Sequence, residues 1–134
     1  MHALEPHFLA QLGVCAFFGV LFLQSGIDKV TDRAGNLDWL RGHFASSPLK
    51  GTVPLLLSAV TFFELAAGFF SAAGLISLLV HGPAWVPVVG IGLACASLLM
   101  LFLGQRLAKD YAGAATIAGY FAVAVLALLV MPTP

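Results

Sequence analysis

Four long apolar stretches occupy most of this chain and limit its fold more than any other feature. They cover about residues 8–30, 53–80, 85–107 and 111–131, each near the roughly 20 apolar residues that a membrane-crossing helix needs. With 60% hydrophobic residues and only 9% charged ones, the chain has too little polar surface to cover itself in water. The expected fold class is all-α: an integral membrane four-helix bundle with a short interfacial amphipathic helix between the first and second spans. One such domain uses residues 1–134 and leaves no room for a soluble catalytic domain. The lipid bilayer is therefore the first expected partner. A net charge of zero offers no basic patch, so no nucleic acid is expected. No Lys or Arg precedes the first stretch and no small-x-small site ends it, so it reads as a retained span rather than a signal peptide.

The connections refine this picture. In the first, Asn36 can cap a short helix over residues 37–44, in which Leu37, Leu40 and Phe44 recur at helical spacing while Asp38 and Arg41 point elsewhere. That segment is expected to lie at the interface and cover one end of the bundle. His81-Gly82-Pro83 reads as a tight turn, Trp85 as an interfacial anchor and Asp110 as the cap of the fourth span. Lys29, Arg33, Arg41 and Lys50 lie in or beside the first connection, and Arg106 and Lys109 lie in the third. The positive-inside rule then sets both of these loops in the cytoplasm and both termini outside.

Glu64 sits in the middle of the longest apolar stretch, where an acid costs on the order of 2.5–3.5 kcal/mol. Thr61, Glu64, Gly68 and Ser71 recur at steps of three and four, a polar and small stripe that turns Glu64 toward the other helices. The first span offers Gln24 and Asp28 on one face, and the fourth offers Gly113, Thr116 and Tyr120. At 1.5 Å rise per residue, Glu64 lies roughly 16 Å below the first-loop surface, Gln24 roughly 9 Å and Tyr120 roughly 14 Å. Polar side chains therefore converge on the half of the bundle beneath the interfacial helix. Glu64 must be neutral or paired there, and Lys29 and Arg106 are the cations within reach. A protonatable acid, an amide and a phenol around an apolar cavity suit a quinone-type headgroup. The plain alternative is that Glu64 makes an interhelical bond that fixes helix register.

Cys15 and Cys95 fall inside spans without a CxxC pair and read first as small buried hydrophobes, second as a redox pair. His2, His7 and His81 share the expected outer face, but none lies within a span, so neither haem nor a metal site is expected.

Phe22-Leu23-Gln24-Ser25-Gly26-Ile27-Asp28-Lys29-Val30 resembles the end of the first helix in the DoxX family of small bacterial membrane proteins, and Glu64-Leu65-Ala66-Ala67-Gly68 resembles that family's second-helix motif. The resemblance implies a four-helix bundle in the bacterial inner membrane with a link to membrane redox chemistry, some family members being subunits of thiosulfate:quinone oxidoreductase. Its motif falls on Gly26, Lys29, Glu64 and Gly68. The leading expectation is a subunit or partner of a membrane oxidoreductase with a quinone or other lipid-soluble redox molecule in the bundle and no covalent cofactor. Glu64 and Lys29 would be its catalytic pair, Gln24, Asp28, Tyr120 and Arg106 would bind ligand, and Gly26 and Gly68 would serve packing. A second expectation is a non-catalytic accessory subunit packed against a larger complex, or a homo-oligomer. A small-molecule transporter is a third.

Overall fold

The computed structural model describes residues 5–134, so His2 lies outside the described residues. The helices are α1 (Pro6–Thr31), α2 (Arg33–His43), α3 (Val53–Leu79), α4 (Trp85–Leu107) and α5 (Tyr111–Val130), with a 3-10 turn at Lys50–Thr52 leading into α3. All but α2 are long and apolar enough to cross a membrane. The protein is thus an all-α four-helix membrane bundle with one short helix between its first two spans.

The short helix differs from expectation at its start. It begins at Arg33, and Asp32 caps it by accepting a hydrogen bond from the Gly35 amide at 3.3 Å. Asn36 sits inside the first turn and donates from Nδ2 to the Asp32 carbonyl at 2.8 Å. Asp32 wins because α1 runs on to Thr31, so the first residue free to leave helical geometry is the acid. Asp110 caps α5 as the sequence implies, its carboxylate accepting from Gly113 at 2.9 Å. α3 and α4 close with a left-handed residue, His81 (φ 55°) and Lys109 (φ 61°). The next amides, Gly82 and Asp110, then reach back to the carbonyls of Ser77 (2.7 Å) and Gln105 (2.9 Å). In the His81-Gly82-Pro83 turn, histidine rather than glycine takes the strained position.

α3 is the central helix, packed against α1 on one side and α4 on the other, while α5 lies mainly on α4. Helices in lipid gain nothing from hydrophobic exclusion between themselves, so close van der Waals approach must hold them. Glycines at the helix contacts, Gly26, Gly68, Gly74 and Gly90, provide it. A Cβ on Gly68 would sit 2.7 Å from the Leu23 amide nitrogen of α1, and one on Gly90 would sit 2.6 Å from the Ser71 amide nitrogen of α3. Cys15, Phe18, Phe22, Ile91, Ala94 and Leu98 fill the centre, with the Phe18 and Phe22 rings stacked at 5.9 Å. At the far end, Gln11 donates to the otherwise orphaned Val130 carbonyl at 2.7 Å and ties α1 to the end of α5.

α2 straps the other end. Arg33 donates to Ser58 Oγ of α3 at 3.0 Å, His43 meets Gln105 of α4, and the buried Phe44 ring lies over Gly104. Trp39 on α2 and Trp85 at the opposite end are exposed, as interfacial anchors should be.

The glycine contacts set a test. Gly90→Val should destabilise the protein in detergent by about 1–3 kcal/mol, because neighbouring backbone cannot give way. Gly13 has nothing within 4 Å of its Cβ position, so Gly13→Ala should change stability by no more than about 0.5 kcal/mol. Denaturant titration of the two variants checks the pair, and equal loss in both would contradict the close approach.

Candidate functional site

The stripe on α3 is buried along its length: Thr61, Glu64, Gly68 and Ser71 all face the bundle. Thr61 is satisfied within the helix, donating to the Leu57 carbonyl at 2.6 Å. Glu64 is 2% exposed and draws its partners from α1. Lys29 Nζ stands 2.9 Å from Glu64 Oε1, and Ser25 Oγ donates to Glu64 Oε2 at 2.8 Å. The same ammonium donates to Ser25 Oγ at 2.7 Å and closes a triangle. Oε1 receives the charge of Lys29 but no aligned hydrogen bond among the described residues, so the ammonium is directed chiefly at Ser25.

This geometry explains how the bundle tolerates the acid. A lone buried carboxylate is very costly, whereas one that is paired and hydrogen-bonded recovers most of the loss. Ser25 and Lys29 are four residues apart and share one face of α1. Gly26 and Gly68 draw the backbones close enough for that face to reach Glu64: a Cβ on Gly26 would lie 2.6 Å from the Leu65 side chain. Packing glycines and the ion pair thus belong to a single arrangement.

The other expected ligand residues lie elsewhere. Gln24 and Asp28 are exposed on the neighbouring face of α1. Arg106 is also exposed, with its guanidinium 4.6 Å from the centre of the Tyr111 ring, so it does not compete for Glu64. Tyr120 is half-buried against Phe17, with ring centres 6.2 Å apart. Cys15 and Cys95 are free thiols, the first buried and the second half-buried.

A cavity of about 370 Å³ opens under α2, between the start of α3 and the end of α4. Its wall is mostly apolar, including Leu57, Val60, Leu101 and Ile117, and exposed Trp39 and Leu103 border it. The polar groups in the wall are Lys29, Asn36, His43 and Gln105; Gln24, Asp28, Glu64, Tyr120 and Arg106 are not part of it. Glu64 stands behind Lys29, and only the lysine reaches the cavity. His43 Nε2 lies 2.6 Å from Gln105 Oε1 and 3.9 Å from Asp110 Oδ2, while its ring stacks on Trp39 at 4.5 Å. Sequence reasoning missed Ser25, His43 and Gln105 as site residues. Ser25 was detectable, since it and Lys29 flank Gly26; the pairing of His43 with Gln105 across 62 positions left no local signal.

At the opposite end, Glu5, His7, Phe8, Gln11 and His81 line a second cavity of about 330 Å³. His7 and His81 therefore share one end of the bundle.

No family model, curated protein or solved structure matches this chain.

The buried pair makes a measurable prediction. Lys29→Met alone strands the carboxylate and should cost about 3–5 kcal/mol, while adding Glu64→Gln should recover most of that loss. Unfolding of the single and double variants in micelles checks it; a double variant no more stable than Lys29→Met would contradict the pairing.

Proposed function

We propose that this chain is the ligand-holding membrane subunit of an oxidoreductase, with a quinone-type, lipid-soluble redox molecule seated under α2. The observation that carries the reading is a largely apolar cavity of about 370 Å³ with Lys29, the cationic member of a buried ion pair, in its wall. Small-molecule sites run about 300–1,000 Å³ and combine apolar walls with a few convergent polar groups. This cavity suits a single ring with the start of its lipid tail. A quinone offers flat apolar faces and two carbonyl oxygens that only accept hydrogen bonds. Lys29, Asn36 and Gln105 bring donors to the wall, so the residues present fit the group.

A quinone, when bound, takes up electrons together with protons. The chain's own part is to orient the ring, exclude water and supply a proton at Lys29 Nζ. Glu64 and Ser25 hold that ammonium in place, and Lys29, Ser25 and Glu64 form one connected polar set beside the cavity. Glu64 then acts through Lys29 rather than on the ligand. No electron carrier is evident among these residues, so electrons pass to or from a partner protein. The resemblance of residues 22–30 and 64–68 to DoxX proteins agrees with this reading, and the proposal includes a bacterial inner-membrane location with the α2 end cytoplasmic. The accessory-subunit reading draws on α5, which buries only Ala114, Ala124 and Ala127 and leaves an apolar face for another chain.

The test is binding of a decyl-substituted benzoquinone to the protein in nanodiscs. Lys29→Met/Glu64→Gln keeps the bundle but removes the ammonium, and affinity should fall about tenfold, worth 1.4 kcal/mol. Equal affinity in both proteins, or no binding to the wild type, would overturn the reading.

A further inference from the structure

His43 is a wall residue of the cavity, and its two ring nitrogens stand in different surroundings. His43 presents Nε2 to the Gln105 carbonyl oxygen at 2.6 Å, and that oxygen only accepts, so the ring proton sits on Nε2. The Asp110 carboxylate lies 3.9 Å from the same nitrogen. Trp39 stacks on the imidazole at 17° and Phe44 meets it edge-on at 5.1 Å, so the ring plane is fixed. The tautomer leaves a lone pair on Nδ1, which has no hydrogen-bond partner among the described residues.

We propose that His43 Nδ1 is a hydrogen-bond acceptor for a ligand hydroxyl, so that the cavity prefers the reduced, hydroxyl-bearing form of a quinone-type ring. The inference rests on the cavity reading above and adds which redox state it favours. Both ring oxygens of a quinone are acceptors, so the one beside Nδ1 would leave two lone pairs facing each other. A hydroquinone removes the conflict: one hydroxyl donates to Nδ1, and the other oxygen still accepts from Lys29. Sites built to bond a substrate hydroxyl reject the analogue that lacks it far more strongly than apolar pockets distinguish a methylene. The Asn36 and Gln105 amides each carry a donor and an acceptor and so serve either form, and Lys29 only donates, which leaves His43 as the discriminating residue.

Decyl-hydroquinone and decyl-quinone, titrated anaerobically into the protein in nanodiscs, provide the test. The wild type should bind the hydroquinone at least about tenfold tighter, and His43→Phe should lose that preference, binding the two forms within about threefold of each other. A wild type with no preference, or a preference that survives His43→Phe, overturns the assignment of His43. Absence of binding by either form removes the cavity reading itself. Should His43→Phe not fold, ¹⁵N-histidine NMR of the unaltered protein decides. The unprotonated Nδ1 resonance of His43 should move with hydroquinone and not with quinone; an unmoved resonance in the presence of bound hydroquinone refutes the proposal.

Discussion

The ion pair between Lys29 and Glu64, bridged by Ser25, is the interaction on which the rest of the bundle depends. An acid near mid-bilayer is tolerable only with a cation and a hydrogen bond beside it, and both come from α1. That requirement fixes the register of α1 on α3, because a shift of one residue would point Ser25 and Lys29 away from the carboxylate. The glycines at 26 and 68 serve the same end by letting the two backbones approach. Breaking the pair would leave a charge in the apolar centre with no alternative partner, since Arg106 is engaged with Tyr111 at the surface.

The pair also shapes what lies beneath α2. Lys29 spans two environments, with its ammonium against Glu64 and its side chain in the cavity wall. α2 covers this space because it is tied at both ends, by Arg33 to α3 and by His43 to α4. The cap is thus part of the bundle rather than a loop lying on it. The cavity sets Lys29, Asn36, His43 and Gln105 among otherwise apolar side chains.

Most of the architecture was legible in the sequence, because hydrophobic length is a local property: four spans and the inward stripe of Thr61, Glu64, Gly68 and Ser71 follow from periodicity alone. The site was legible only in part. Gln24 with Asp28 and Ser25 with Lys29 are both i,i+4 pairs, a single residue apart, and propensity does not say which faces inward. The close-packing Gly26 does, because it marks the face of α1 that touches α3. Tyr120 has the right depth and the wrong bearing, since depth follows from residue count whereas bearing depends on how α5 rotates against α1 and α4. His43 and Gln105 meet only because α2 folds back across the bundle, a tertiary event that no spacing within either segment encodes.

The ion pair with Lys29 requires an ionised Glu64 carboxylate within the bilayer. Infrared difference spectroscopy of the protein in lipid, wild type against Glu64→Gln, reads that state directly. The substitution should remove an ionised carboxylate band and leave the protonated carboxylic-acid region unchanged. Loss of a protonated carbonyl band instead would contradict the ion pair.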